Sequence, residues 1–500
     1  MPREPVNKKI WALAGVVFAL WNACPSVAAT SCQDQELLIG SRIECATLDE
    51  ANGLYRFKSD EYGGKPFPYV SRETGPRALK LLDTSNVISG QISYGQSWRN
   101  ESLALPSDVV ASGRGDGRAM TSRVAGDDNT LPDISLDFFA DKGGDFINLS
   151  LDQSSNHSPG NGAGNIGRIA AQVLVGMRDR FKAQQQAVLE LGGGYPGQTW
   201  ATLRPDGEIP AATDGSTPAI HPWASLVTQV ATAQDVALRY GNRLRIDTVG
   251  FTHGAYSEGY KDGDGNDDYY AVLAGVLKAF DKADFNDDGV PIPVFYDQTA
   301  VTSEGLKAYL NFQRQADFAE AHAGRVVLYG PRYPYAFRDN IHHTGKAYGQ
   351  IGELEGYAKF LVMDKKVQWK LFKITQISVK GSTLRVTVTA PPGFGDLQID
   401  TRQIEAAPQL GFHIRRMADG AELPLSDFAV TGNTITARLA QAPKPGEPYE
   451  VSYAYRGPGA AIGAHAGVWG NIKRQGPPSV IFSGETIDTY LLTYMKEMVL

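Results

Sequence analysis

Five short apolar runs set the architecture of this chain: residues 86–94 (NVISGQISY), 187–194 (AVLELGGG), 244–251 (LRIDTVGF), 291–296 (PIPVFY) and 325–330 (RVVLYG). Each is short for a helix and too continuously apolar for a strand with one wet face. They read as strands buried on both sides. The stretches between them have helical period. Leu226, Val230, Ala233 and Ala237 share one face of residues 225–241, which stop at Gly241. Residues 267–283 and 303–318 follow the third and fourth strands, and Ala347, Ile351, Leu354, Ala358 and Leu361 form a stripe after the fifth. Strands alternating with helices predict an α/β domain whose parallel sheet is covered on both faces. Ligands of such sheets bind beyond the carboxyl ends of the strands. Ser97, the glycines 192–194 and the segment 252–258 all lie just beyond strand ends.

The rest of the chain has a different texture. Residues 30–85 are polar, without a clear period, and form an N-terminal extension. Residues 98–180 are rich in Gly, Ser, Asp and Asn and read as an insertion or lid after the first strand. Past residue 365 the period becomes two, as in TLRVTVTA (383–390) and YEVSYAY (449–455), and VTGNTITARL (430–439) reads as two strands about a Gly-Asn turn. Residues 365–500 therefore form an antiparallel, sandwich-like β module. With no exposed aromatic cluster evident, bracing of the α/β domain is its expected role.

Residues 1–29 have the form of a signal peptide: Arg3, Lys8 and Lys9, the apolar run 10–21, and a small-residue cleavage site after Ala29. The run is shorter than the roughly 20 apolar residues that span a membrane. Export to the periplasm or the extracellular space is expected. Cys32 and Cys45 then remain and can pair in an oxidising compartment, whereas Cys24 leaves with the signal. The signal also carries Glu4, so its loss takes the formal charge from −7 to −9. An acidic chain does not suit nucleic acid or an anionic membrane, while neutral glycans fit it.

The chemistry points to a serine. Ser97 follows the first strand, and a serine becomes a nucleophile when a histidine steered by a carboxylate takes its proton. Asp339 stands three residues before His342 in the loop after the fifth strand. In a tight turn that spacing brings the carboxylate to Nδ1–H and leaves Nε2 to face Ser97. Two Asp-rich stretches resemble calcium loops. Asp284, Asn286, Asp288 and Gly289 have EF-hand spacing, but Phe295 occupies the closing glutamate position, which excludes a full EF-hand and leaves a solvated loop or a weak structural calcium. His342 and His343 lack a third ligand at zinc spacing, so no catalytic metal is expected.

Gly95-Gln96-Ser97, Gly193-Gly194 with Trp200 downstream, and Asp339-x-x-His342 together resemble the SGNH/GDSL hydrolases. The similarity is to the sialate O-acetylesterase-like carbohydrate esterases, whose first block reads Gly-Gln-Ser. It spans residues 86–362, and the G-x-S-x-G elbow of α/β-hydrolases is absent. The resemblance implies a flavodoxin-like three-layer α/β/α domain over residues 86–364. It also implies Ser97 as nucleophile, His342 as general base and then acid, and Asp339 as its orienting carboxylate. The oxyanion donors would be the Ser97 and Gly194 backbone N–H groups beside Gly193, with Gln96 and Trp200 on the substrate side and His343 either structural or facing the substrate. The third block departs from the family: Gln-Gly-Glu-Ser-Asp is replaced by the stretch from His253 to Glu258. His253 would then supply the third donor through a ring N–H, given the right tautomer or a positive charge. The implied activity is removal of O-acetyl groups from a carbohydrate or polysaccharide through an acyl-enzyme, without a cofactor. The alternatives are acetyl transfer to a polysaccharide hydroxyl and glycan binding by a decayed site.

Overall fold

The computed structural model describes residues 87–96, 99, 166–183, 186–195, 197–211, 213, 219–239, 243–254, 269–283, 285–286, 288–300, 311–339, 342–456 and 468–500. It also describes, as backbone, the strands lying before residue 72 and between residues 119 and 148. The proposed signal peptide, Cys32, Ser97 and residues 255–258 lie outside the described residues, as does the Cys45 side chain.

Strands β1 (Gln35–Ile39), β2 (Arg42–Asp49), β3 (Leu54–Lys58) and β4 (Pro66–Ser71) make an antiparallel meander. The main sheet follows. It contains β5 (Val87–Gly95), β6 (Ala119–Val124), β7 (Gly144–Asn148), β8 (Val188–Gly194), β9 (Arg243–Thr252), β10 (Val294–Gln298) and β11 (Val326–Pro331). Their order is β11-β10-β9-β5-β8-β6-β7, parallel throughout except for β7 against β6. The five apolar runs are β5, β8, β9, β10 and β11. Counted among themselves they lie in the order 2-1-3-4-5 of flavodoxin-type doubly wound sheets.

Helices cover both faces, because each buried strand sends alternate side chains to opposite sides. On one face Ile88, Ile246, Val294 and Leu328 pack with α3 (Pro222–Arg239), α4 (Tyr269–Lys282) and α5 (Asn311–Ala321). On the other, Val188, Phe295 and Val327 meet α1 (Ile166–Arg180) and α6 (Gly345–Lys359). A short α2 (Trp200–Leu203) sits in the loop between β8 and α3. α1 and α6 approach closely at Gly352 and Gly356, where a Cβ would lie 2.6 Å from Ile169 Cβ and from Ala170 O.

Parts of residues 98–180 enter the α/β layers. β6 and β7 widen the main sheet beyond β8, and α1 is a buried layer helix. Ile166, Ile169, Ala170, Val173, Leu174 and Met177 carry its helical period, a signal masked by the Gly- and Asn-rich residues before it.

The C-terminal part is built from antiparallel sheets. β12 (Ile374–Lys380), β13 (Thr383–Val388), β14 (Leu397–Ile399), β15 (Phe412–Arg416), β16 (Leu425–Thr431), β17 (Thr434–Leu439), β18 (Pro448–Tyr453), β19 (Ile472–Arg474), β20 (Thr489–Tyr490) and β21 (Tyr494–Val499) are its strands. They assemble as β12-β13-β17-β16, β14-β19-β20 and β15-β18-β21. β13 alternates in burial as its period of two demands, while β18, paired on both edges, is buried along nearly its whole length. The module shares its core with the α/β layers. Ala300, Tyr333 and Phe337 belong to the module's cluster, and Ile481, Phe482 and Ile487 complete the one around α1 and α6.

Candidate active site

In an open sheet of this order the crevice lies between the first and third strands, at their carboxyl ends. Here those strands are β5 and β9, and Gly95 stands level with Thr252 on β9 and with Gly194 on β8. The backbones crowd at this point. A Cβ on Gly95 would fall on Thr252 O, and one on Gly194, whose φ is +98°, would fall on Gly95 O. Only glycine fits two such neighbours. Gln96 N–H donates to Thr252 O at 3.0 Å and Tyr195 N–H to Gly95 O at 3.1 Å. Gln96 O accepts from Arg99 N–H at 2.9 Å, so the chain turns directly beyond β5. Gly193 and Gly194, the predicted oxyanion block, are thus held beside the end of β5, which stops two residues before Ser97 in the sequence.

The Asp339–His342 loop starts at the end of β11 and returns through an antiparallel bridge between Phe337 and His343. Arg338 N–H donates to His342 O at 2.7 Å and closes its tip. The Asp339 carboxylate takes the His342 backbone N–H at 2.7 Å and lies 3.1 and 3.2 Å from Nδ1. A carboxylate only accepts, so Nδ1 carries the proton and the neutral ring has its lone pair on Nε2. The His342 side chain is about a quarter exposed, open to a substrate. His343 points the other way. It is buried against Phe337 and Tyr348, with Nδ1–H directed to Ala336 O at 3.4 Å. Burial, and next the nearby Arg332 charge, push its pKa well below the ordinary histidine value.

Three further predicted residues meet at one carbonyl or pack beside it. Gln96 Nε2–H donates to Gln198 O at 2.5 Å, and its Oε1 accepts from Gly254 N–H at 3.3 Å. His253 Nε2 lies 3.3 Å from the same Gln198 O, so that nitrogen carries the proton. Burial between Phe251 and Tyr269 drives the His253 pKa down to about 3, and the ring is neutral at ordinary pH. Its Nε2–H therefore faces the loop carbonyl, and a positive charge on it is excluded in that range. Trp200 sits in the core, edge-on to Phe251 with centroids 6.0 Å apart, and is 5 % exposed. Trp200, expected on the substrate side, packs where the Gly275 position on α4 leaves room for the indole.

Sequence reasoning missed the buried charges that hold these pieces. Arg99 runs under β5 to Glu355, donating Nη2–H at 2.7 Å, and gives Nε–H to Ser93 Oγ at 2.6 Å. Lys359 Nζ reaches Glu355 at 2.7 Å and Gln91 Oε1 at 2.9 Å. Burial alone would raise the Glu355 pKa, but the two cations overcome it and hold the carboxyl at about 2. At the ends of β10 and β11 Asp297 pairs with Arg332, Nε to Oδ1 at 2.7 Å and Nη2 to Oδ2 at 2.8 Å. Tyr329 and Thr252 hydroxyls donate to Asp297 Oδ2 at 2.9 and 3.2 Å. A carboxylate closing the apolar run 291–296 was a usable signal for Asp297; nothing local marks Arg99 or Arg332. Among the described residues no three His, Cys, Asp or Glu side chains gather as metal ligands do, and no helix is long and apolar enough to cross a membrane.

No protein-family model matches the chain, and no curated protein matches it in sequence. Solved structures do. A carbohydrate acetylesterase from Xanthomonas citri superposes with a TM-score of 0.50 at 13% identity, over 82% of this chain and 80% of that one. A protein of Arabidopsis thaliana is similar over 56% of this chain and 99% of its own, at 14% identity and a TM-score of 0.35, too low to bear on the fold. The first likeness establishes a shared fold: an α/β sheet with a β-rich module, on the architecture of a carbohydrate acetylesterase.

Proposed function

We propose that this protein is an exported SGNH-type serine esterase that removes O-acetyl groups from a carbohydrate. The observation that carries the reading is the Asp339 carboxylate on Nδ1 of His342, in a loop that leaves the carboxyl end of β11, in the same parallel sheet whose strands β5 and β8 end at Gly95 and Gly194. Ser97 follows Gln96 at that edge. In the reaction His342 Nε2 takes the Ser97 hydroxyl proton as Oγ bonds to the acetyl carbonyl carbon. The carbonyl electrons move to oxygen, where the Gly194 and Ser97 N–H groups stabilise the oxyanion. Losing one such donor typically costs about 2.7–4 kcal/mol of transition-state stabilisation. The intermediate collapses, the C–O bond to the sugar breaks, and His342 returns its proton to the sugar oxygen. Water then repeats the sequence on the acyl-enzyme, releasing acetate and restoring Ser97. The fold shared with a carbohydrate acetylesterase supports the substrate class.

Ser97→Ala is expected to abolish hydrolysis of an aryl acetate, with a loss of at least about 1,000-fold in kcat. Undiminished turnover by that variant would refute the reading. Acetate release from acetylated glycans without an acceptor sugar distinguishes hydrolysis from transfer, which would need the acceptor.

A further inference from the structure

The loop that carries His342 and the turn that follows β5 are far apart in sequence, and Asp339 alone cannot set the distance between them. Arg332 is the first residue after β11 and the root of the His342 loop; its backbone N–H donates to Gln298 O at 3.0 Å. Its guanidinium grips both oxygens of Asp297 at the end of β10 and reaches Thr252 Oγ1 at 3.4 Å. Thr252 gives its hydroxyl to Asp297 and its carbonyl to Gln96 N–H. One unbroken chain of contacts thus runs from the root of the histidine loop, through β10 and β9, to the residue preceding the serine. Arg332 and Asp297 are shielded from water, with side-chain exposures of 0% and 2%. A guanidinium that donates to one carboxylate oxygen and lies at ion-pair distance from the other constrains orientation as well as distance.

We propose that the Asp297–Arg332 pair is a positioning unit that sets the geometry between His342 and the nucleophile turn at Gln96. This rests on the serine esterase reading. The pair touches no reacting atom; it aligns the elements that do. Misplacement by about 1 Å can cost about 100-fold in rate while leaving ground-state binding intact. Burial of His343 beside Arg332 ties the ring next to His342 into the same frame.

Two variants test it. Arg332→Lys keeps the charge but loses the fork. The double variant Asp297→Asn with Arg332→Gln removes both charges, so neither is left buried and unpaired. Measured on the full chain with an aryl acetate and a fluorophosphonate probe, each folded variant is expected to lose about 10- to 100-fold in kcat, with KM within about 2-fold. Labelling of Ser97 should slow in parallel, and Arg332→Lys should keep more activity than the double variant. Folded variants that turn over and label at the parent rate overturn the positioning role and leave the esterase reading standing. A lower melting temperature with unchanged kcat per folded molecule overturns it as well. A parent protein that fluorophosphonate does not label at all sinks both.

Discussion

At the scale of single residues, His253 shows how burial reassigns a donor. The resemblance to SGNH hydrolases would place it where that family uses an amide, and an imidazolium there could stabilise an oxyanion. Enclosed by two aromatic rings, it is instead a neutral ring donating toward Gln198 O beside the Gln96 amide. Both residues thereby clamp the loop that follows Gly194. The titration has a stability consequence. The unfolded chain protonates this ring near 6.5, the folded one only near 3. His253 therefore contributes stability above pH 6.5 that is lost as pH falls toward 3. His253→Gln keeps an N–H for Gln198 O and removes the titration. Urea melts at several pH values should show a flatter dependence across that window; a slope equal to the parent's would assign the acid sensitivity to other groups.

At the scale of elements, the contact between β5 and α6 is unusual in being polar. β5 offers Ile88, Ile92 and Tyr94 to one face but Ser89, Gln91 and Ser93 to the other, and all six are buried. The polar edge is matched by Arg99, Glu355 and Lys359, one carboxylate between two cations. Replacing Glu355 with Gln leaves two buried cations without their anion, and the expected loss is about 3–5 kcal/mol in a denaturant titration. The same carboxyl predicts an acid limb. Its folded pKa, about 2, lies below the ordinary glutamate value of 4.5, so its contribution is full above pH 4.5 and disappears as pH falls through 2. Thermal scans from pH 5 to 2 on the parent and on Glu355→Gln should converge toward the acid end.

At the scale of the whole molecule, the α/β layers and the C-terminal sheets exchange core residues. Tyr333 donates its hydroxyl to Leu491 O at 2.7 Å, and Gln298 Oε1 takes Thr493 N–H at 2.7 Å. Glu353 on α6 accepts from Ser479 Oγ and from the N–H groups of Val480 and Ile481, at 2.6, 2.9 and 3.0 Å. Two units that complete each other's cores lose cooperatively what either loses alone. Calorimetry is therefore expected to give one transition for these two parts, and Glu353→Ala should lower its midpoint without splitting it. Two separate transitions would show the module to be an independent appendage.

Much of this was legible in the residues. Continuous apolar runs mark strands buried on both faces, because burial is a local demand on side-chain chemistry, and all five became neighbours in one parallel sheet. Asp339 and His342 were legible for the same reason: three residues apart, they meet within one turn. What lies within a few residues along the chain can be read from the chain. Most of the charged residues could not be read that way. Arg99, Arg332, Glu355 and Lys359 look like surface residues until their partners are placed by the fold. α1 was hidden in a polar neighbourhood, and the burial of Trp200 and His253 could not be read from their own segments. Burying a charge or a ring nitrogen is tolerable only where the opposite group has been placed, and that placement exists only in the folded molecule.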